Sequence, residues 1–150
     1  IKRTLKDLQT KARQNNTEIV YENSKLGETR LVGDPLAMAQ IMSVLVGNAI
    51  DACVGLPNAK IIVNLRKNTS TLTIEVSDNG IGISDTQRKT LFTPKLSTKP
   101  TGMGVGLYIA KHLVESQFKG RLTLSDIHTA HMKTTFVVTL PLTTNQKDTL

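Results

Sequence analysis

Cysteine, aromatic residues and long apolar runs are scarce in this chain of 150 residues, and each shortage excludes a class of protein. Cys53 is the only cysteine, so no disulfide can form within the chain, which fits a reducing compartment. Cys53 falls in an apolar helical pattern and is predicted to be a small core residue rather than a reactive thiol. No segment approaches the roughly 20 apolar residues that cross a bilayer, so we expect no membrane contact from this part of the protein.

Aromatic residues make up only 3% of the chain, and its basic residues are spread along it without a recognition motif. The net charge of +7 therefore does not indicate nucleic-acid binding. One stretch, between Asp85 and Glu115, contains no acidic residue. Such a basic field favours a polyanionic ligand such as a nucleoside triphosphate, although a solvated basic face explains it equally well. The basic residues of this stretch include Arg88, Lys89, Lys95, Lys99 and Lys111.

The composition, with 39% apolar and 21% charged residues, fits one globular domain with a sizeable core. The chain begins with Ile rather than Met and shows no secretory signal, so we expect it to be part of a longer protein. Apolar residues at helical spacing predict that residues 1–14 end a helix. Residues 143–150 are predicted to be a polar tail.

Hydrophobic periodicity predicts helices and strands that alternate without a strict βαβ rhythm. The fold class is therefore predicted to be α/β: a two-layer α/β sandwich, with a mixed, mostly antiparallel sheet covered by three helices. Asp34-Pro35 and the capping box Ser84-x-x-Gln87 are helix starts. Residues 93–104, with their prolines and glycines, are predicted to be a mobile loop. Strands are expected at 17–22, 60–66, 71–77, 121–125 and 134–140, and helices at 34–53, from 84 to near 92, and at 106–117.

The longest predicted helix carries an amide in an apolar setting. Asn48 lies at helical spacing from Ile41, Leu45 and Ala52, so its side chain is predicted to point toward the buried layer. A buried amide without partners costs about 1–3 kcal/mol, so Asn48 needs hydrogen bonds. It is therefore either a structural asparagine or a ligand-binding one.

Two glycine-rich segments follow, Asp78 to Gly82 (DNGIG) and Gly102 to Leu107 (GMGVGL). Glycine allows a sharp turn and the close approach of a flat ligand. The second segment precedes a predicted helix whose free N–H groups suit an anion. It is not a Walker A loop, because no Gly-Lys-Ser/Thr follows, and Leu107 stands where a dinucleotide fingerprint needs glycine. A hairpin turn and a flexible hinge are the plainer explanations.

In this order, Asn48, the DNGIG turn and the GMGVG turn resemble the N box and the two glycine boxes of the GHKL ATP-binding fold. Within that superfamily the chain looks like the catalytic ATP-binding domain of a bacterial two-component sensor histidine kinase, over about residues 17–142. The resemblance implies a Bergerat-type fold that binds ATP and Mg²⁺. It also implies that residues 1–14 end an upstream helical dimerisation domain or a linker from it, and that residues 15–142 are the catalytic domain.

The resemblance assigns roles to single residues. It implies that Asn48 gives its carbonyl oxygen to magnesium, as the predicted metal ligand, and that Asp78 accepts a hydrogen bond from the adenine amine. Phe92 resembles the F-box residue that packs under the mobile segment, and Lys99 and Asn48 are the implied catalytic residues. The implied nucleotide-binding positions are Asn48, Asp51, Ala52, Asp78, Gly80, Gly82, Phe92, Ser97, Thr98, Lys99, Gly102, Met103, Gly104, Val105, Gly106 and Leu107.

Departures from the family pattern decide the branch. Four residues before Asn48, gyrase-like members carry a Glu that orients water and many histidine kinases carry Asn, whereas this chain has Val44, which cannot act as a base. Hydrolysis is therefore disfavoured and transfer to a protein acceptor is favoured. Asp51 stands where one large kinase branch has Lys. The pattern Asn-Ala-x-Asp-Ala of this chain resembles instead the nitrogen-sensor or dicarboxylate-sensor branch. Asp51 either contacts a metal-bound water or is solvated. Lys95 replaces an aromatic residue of the F box.

None of the histidines, His112, His128 and His131, is followed by Glu or Asp as in a phosphoacceptor motif. The acceptor is therefore expected on the protein's own N-terminal dimerisation and histidine phosphotransfer domain, in a homodimer. The other implied partner is a response regulator receiver domain, and the implied location is cytoplasmic, as a soluble protein or as part of a membrane-bound sensor. The alternatives are a stand-alone GHKL-type ATPase and a non-catalytic nucleotide-binding or scaffold module. Val44 argues against the first, and the intact motifs argue against the second.

Overall fold

The computed structural model describes residues 1–23, 26, 29, 31–94, 104–126 and 131–142. The helices among them are α1 (Lys2–Gln14), α2 (Pro35–Ala52), α3 (Asp85–Arg88) and α4 (Gly106–Phe118). The strands are β1 (Glu18–Asn23), β2 (Lys60–Lys67), β3 (Thr71–Asp78), β4 (Arg121–Leu124) and β5 (Thr134–Pro141).

The strands form one mixed sheet in the order β1-β2-β3-β5-β4. Strands β1 and β2 are parallel, and the other neighbouring pairs are antiparallel. Buried and half-buried residues alternate along β3 and β5, as expected when only one face of a sheet is covered. The predicted mixed, mostly antiparallel sheet is confirmed.

Three helices, α1, α2 and α4, cover the buried face of the sheet. Helix α2 lies in the middle and buries eight residues, among them Ile41, Met42 and Leu45, all at 0% exposure. Helix α4 contributes Ala110, Val114 and Phe118 to the same core. The predicted two-layer α/β sandwich is therefore confirmed. In the described part of the chain α2 alone is long and apolar enough to span a membrane, but its buried face shows it to be a core helix.

Local sequence signals begin α2 and α3 as predicted. The Asp34 carboxylate accepts a hydrogen bond from the Leu36 N–H at 2.8 Å and caps α2. Ser84 and Gln87 form the reciprocal hydrogen bonds of a capping box at α3. In the hairpin between β2 and β3, the Asn68 side chain accepts hydrogen bonds from the backbone N–H groups of Ser70 and Thr71.

Some predicted boundaries were wrong. Helix α3 ends at Arg88 instead of continuing to near Phe92, because Leu91 and Phe92 turn inward and pack against the core. Asp78 is the last residue of β3, where the prediction placed it after the strand. The predicted loop at 93–104 and the predicted tail at 143–150 lie largely or wholly outside the described residues. The division between residues 1–14 and 15–142 stays a prediction.

Candidate functional site

A buried carboxylate lies at the end of the central strand β3. Asp78 is 2% exposed, and its Oδ1 accepts a hydrogen bond from the Gly80 N–H at 2.9 Å. Burial raises the pKa of Asp78 from 3.8 to about 6, and the Gly80 N–H and the Thr134 hydroxyl partly offset that rise. A carboxylate in this state is costly to maintain without a ligand that donates to it.

The turn after Asp78 requires glycine for close packing. A Cβ on Gly80 would lie 2.6 Å from Asp78 Oδ1 and 2.7 Å from the carbonyl oxygen of Ala52. The next residue, Ile81, donates its N–H to the same Ala52 oxygen at 3.0 Å. Gly82 has φ of 79°, in the left-handed region that favours glycine. The DNGIG turn thus packs directly against the last turn of α2.

Thr134 was missed by the sequence prediction. It begins β5, directly across the sheet from Asp78, and it is 3% exposed. Thr134 Oγ1 lies close enough to Asp78 to lower the pKa of that carboxyl, but among the described residues it has no partner that meets hydrogen-bond geometry. A buried hydroxyl beside a buried carboxylate, without a well-aligned hydrogen bond, indicates a place where a polar ligand completes the hydrogen bonding. No local pattern in the sequence marks Thr134, because its pairing with Asp78 depends on the order of the strands.

Asn79, the second residue of the DNGIG turn, was also missed. Its Oδ1 accepts from the Lys60 N–H at 2.7 Å and from the Cys53 thiol at 3.6 Å, while its Nδ2 donates to the Asn58 carbonyl oxygen at 2.9 Å. One amide thus joins the turn to the end of α2 and to the start of β2. Cys53 is fully buried, and burial together with the Asp78 charge raises the pKa of its thiol to about 11. The prediction that Cys53 is a core residue is confirmed.

Asn48 lies at the edge of the buried face of α2. Ile41 and Leu45 on the same helix face are fully buried, whereas Asn48 and Ala52 are half-buried. The predicted face is therefore present, and Ala52 at its end contacts the DNGIG turn. Asp51, one turn beyond Asn48, is exposed, and its Oδ1 lies 3.5 Å from Lys11 Nζ of helix α1. The sequence prediction left Asp51 either near a metal-bound water or solvated, and did not anticipate this ion pair.

Helix α4 begins against the same face of α2. A Cβ on Gly106 would lie 3.4 Å from Val44 Cγ1, so the first turn of α4 faces the helix turn that precedes Asn48. Val105, the N-cap of α4, makes no side-chain cap hydrogen bond, so within the described part of the chain the first backbone N–H groups of α4 are candidates to bind an anion. Gly104 has φ of 69°, a left-handed conformation that allows the chain to enter the helix. Val44 is a half-buried apolar contact at this place, not a base.

The histidine kinase-, DNA gyrase B- and HSP90-like ATPase model matches residues 33–144. The chain belongs to this ATPase family. The C4-dicarboxylate transport sensor protein DctS of Rhodobacter capsulatus is 36% identical over an alignment of 124 residues, and the match covers 79% of this chain but only 18% of DctS. The chain thus spans about a fifth of that relative.

Solved structures agree on the fold. The nucleotide-free catalytic domain of histidine kinase ThkA matches with a TM-score of 0.81 at 23% identity, over 94% of this chain and 89% of that one. ThkA in complex with the response regulator protein TrrA matches with a TM-score of 0.77 at 21% identity, over 95% of this chain and 39% of that one. The prediction of a GHKL ATP-binding domain of the sensor histidine kinase type is confirmed.

In this member of the ATPase family, the structure brings several of the implied nucleotide-binding positions together around the end of α2. Ala52 contacts Gly80, which contacts Asp78, and Gly106 faces the turn before Asn48. Phe92, in the segment after α3, lies against β5. Its ring packs edge-on against the ring of Phe136, with the ring centroids 6.4 Å apart. Lys111 Nζ lies 5.2 Å from the Phe92 centroid. Leu107, in the first turn of α4, is half-buried and packs against the core. Five implied positions lie outside the described residues, namely Ser97, Thr98, Lys99, Gly102 and Met103, and so does Lys95.

Near the end of α2, Asn48 is the predicted metal ligand, and an amide oxygen is a donor that Mg²⁺ accepts. The Asp51 carboxylate, one turn further, is instead engaged by Lys11. Among the described residues no three His, Cys, Asp or Glu side chains form a metal-binding group. Of the histidines, His112 on α4 and His131 are exposed, and His128 is outside the described residues.

Proposed function

We propose that this chain is the catalytic ATP-binding domain of a sensor histidine kinase. It binds Mg-ATP and transfers the γ-phosphoryl group to a histidine on a separate dimerisation domain of the same protein, for onward transfer to a response regulator. The observation that carries the proposal is the buried Asp78 carboxylate at the closely packed DNGIG turn, beside Thr134 of the neighbouring strand, whose hydroxyl has no well-aligned partner among the described residues.

At the base end of the site, Asp78 selects adenine. Its carboxylate accepts a hydrogen bond from the exocyclic amine of adenine, whereas the corresponding oxygen of guanine would repel it. The Thr134 hydroxyl, which has no well-aligned partner among the described residues, gives the base a second polar contact, directly or through a water. Gly80 lets the turn pack directly against the backbone of Ala52, and this packing fixes the position of Asp78 at the base end.

At the phosphate end, α2 and α4 converge. The backbone N–H groups at the start of α4, which no N-cap side chain engages, and the helix dipole bind the phosphates, and Asn48 offers its amide oxygen as a metal ligand. When bound, Mg²⁺ would neutralise charge on the phosphates. The side chains of the chain itself do little covalent chemistry in such a transfer, because its rate depends on positioning and charge neutralisation.

The acceptor and the partners lie outside this chain. None of the three histidines, His112, His128 and His131, stands in an acceptor motif, so we assign the phosphorylated histidine to the protein's own helical dimerisation domain. The likeness to ThkA, solved with its response regulator, supports a receiver domain as the next partner. The proposed location of this domain is the cytoplasm, where ATP and receiver domains are found.

Val44 supports transfer over hydrolysis. It occupies the position, one helical turn before Asn48, from which a carboxylate would orient a water. Here that position is an apolar side chain in contact range of Gly106. We therefore prefer a kinase to a stand-alone ATPase.

The test is phosphotransfer with γ-labelled ATP. The chain alone is expected to acquire no stable label and to release phosphate slowly. When mixed with its own upstream helical domain, it is expected to label that domain, because proximity places the acceptor histidine at the γ-phosphate. Stable label on the chain itself, or brisk phosphate release from it, would contradict the proposal. Calorimetry with ATP and GTP tests the base end, and equal affinities would contradict the role of Asp78.

A further inference from the structure

Helix α1 is seated on the domain by one apolar face. Leu5 and Ala12 are 4% and 1% exposed and belong to the same core as the sheet. The helix packs against α2 and against β1. Its polar residues therefore keep defined positions relative to α2, as on any amphipathic helix docked through its apolar stripe.

The turn that joins α1 to β1 is closed by successive hydrogen bonds. The Asn15 side chain donates to the Lys11 carbonyl oxygen at 2.8 Å, and the Thr17 N–H donates to the Ala12 carbonyl oxygen at 2.9 Å. Thr17 is itself buried, and its hydroxyl donates to the Asn15 carbonyl oxygen at 3.2 Å. Asn16 has φ of 50°, a conformation that asparagine tolerates better than most residues. The last turn of α1, with Lys11, is thus held rigidly.

Lys11 reaches from this turn to the end of α2. Its Nζ lies 3.5 Å from Asp51 Oδ1, with both side chains partly exposed. Asp51 lies three residues after Asn48, and side chains at this spacing are about 5–6 Å apart on a helix. Helix α2 has no basic residue in its own last turn, so Lys11 supplies a cation near the helix terminus where the dipole favours one.

We propose that Lys11 is a positioning residue for the phosphate end of the nucleotide site. Its ammonium draws the Asp51 carboxylate toward α1 and offsets its negative charge, so that a triphosphate can approach Asn48 with less repulsion. The inference rests on the proposed function. It makes the affinity for the triphosphate, but not for the base, depend on how α1 is docked. A shift of α1 by the upstream part of the protein would thereby change ATP affinity.

The experiment measures equilibrium affinities for Mg-ATP, Mg-ADP and adenosine by calorimetry at low ionic strength. The variants are Lys11→Met, Lys11→Arg, the double variant Lys11→Met/Asp51→Asn, and the control Lys6→Met. Lys6 is exposed on the same helix, about 140° around it from Lys11, so this control makes the same change of net charge. Thermal melting of each variant establishes that it is folded.

Lys11→Met is expected to weaken ATP binding roughly 2- to 5-fold, ADP binding less, and adenosine binding not at all, as suits a partly exposed charge pair. Lys11→Arg and Lys6→Met are expected to match the parent, and the double variant is expected to regain parental ATP affinity. The inference is overturned if Lys11→Met binds ATP as tightly as Lys6→Met does, or if it lowers the affinity for adenosine as much as the affinity for ATP. It is also overturned if adding Asp51→Asn to Lys11→Met does not restore ATP affinity. If the parent chain itself does not bind ATP, the proposed function falls together with the inference. If the parent binds ATP but all the variants bind it with the same affinity as the parent, the inference is refuted and the proposed function is not.

Discussion

Replacing Asp78 with Asn is expected to stabilise the nucleotide-free domain at neutral pH while weakening its affinity for ATP. Burial raises the pKa of Asp78 from 3.8 to about 6, so the folded state holds the proton more tightly than the unfolded chain does. The stabilising contribution of the protonated carboxyl is present below pH 3.8 and is lost as the pH rises through about 6. At pH 8 the ionised group therefore costs the fold at most about 3 kcal/mol, since one pK unit equals about 1.4 kcal/mol.

Asparagine keeps an acceptor for the Gly80 N–H and a similar shape, but it carries no charge to desolvate. For a domain of this size 1 kcal/mol corresponds to about 2–4 °C, so Asp78→Asn is expected to melt up to roughly 6–12 °C higher at pH 8. The difference should shrink toward zero near pH 4, where the parent carboxyl is protonated. The same variant loses a charged acceptor for the adenine amine, which is worth about 1.5–3 kcal/mol, or roughly 10- to 100-fold in ATP affinity.

Calorimetric melts of both proteins from pH 4 to 8, with ATP titrations at each pH, measure both effects. Parental ATP affinity should fall as the pH drops through about 6, because protonation of Asp78 removes the acceptor. Asp7→Asn, at an exposed position of α1, is the matched control and should change neither quantity. A variant that melts at or below the parent at pH 8, or one whose advantage is the same at pH 4.5, would refute the reasoning.

Three further outcomes are expected. Gly80→Ala should destabilise the domain by about 1–3 kcal/mol in denaturant melts, because its Cβ would lie 2.6 Å from Asp78 Oδ1. Gly47→Ala, whose Cβ would meet no described residue within 4 Å, should instead stabilise α2 by about 1 kcal/mol. A loss at both positions would show that the contacts of Gly80 are not the cause. Asn48→Ala should abolish the effect of a magnesium chelator on ATP affinity while leaving the melting temperature near that of the parent, and an unchanged chelator effect would make Asn48 a structural residue. Asn79→Ala should cost about 2–3 kcal/mol of stability, since it leaves backbone groups without their side-chain partner, and a neutral result would mean that the turn is held by its glycines alone.

Signals that act within a few residues were sufficient to predict the elements and the motifs. The carboxylate of Asp34 and the Ser84 capping box satisfy N–H groups of the adjacent turn, so their effect does not depend on the rest of the fold. Alternation along β3 and β5 reports which side chains face the core, and this alternation is visible in the chain itself. The glycines of the DNGIG turn are also recognisable from the sequence alone, because their spacing after a strand indicates a tight approach of backbone and ligand.

Contacts between distant segments were decided only by the tertiary structure. Thr134 meets Asp78 because β5 inserts between β3 and β4, an order that no local pattern specifies. Lys11 meets Asp51 because α1 docks on α2, and α3 ends early because Phe92 packs against Phe136 rather than continuing the helix. The physical reason is common to all three cases. Burial free energy is realised only when separate elements share one core, so it can override local preference and bring together residues that are far apart in the chain.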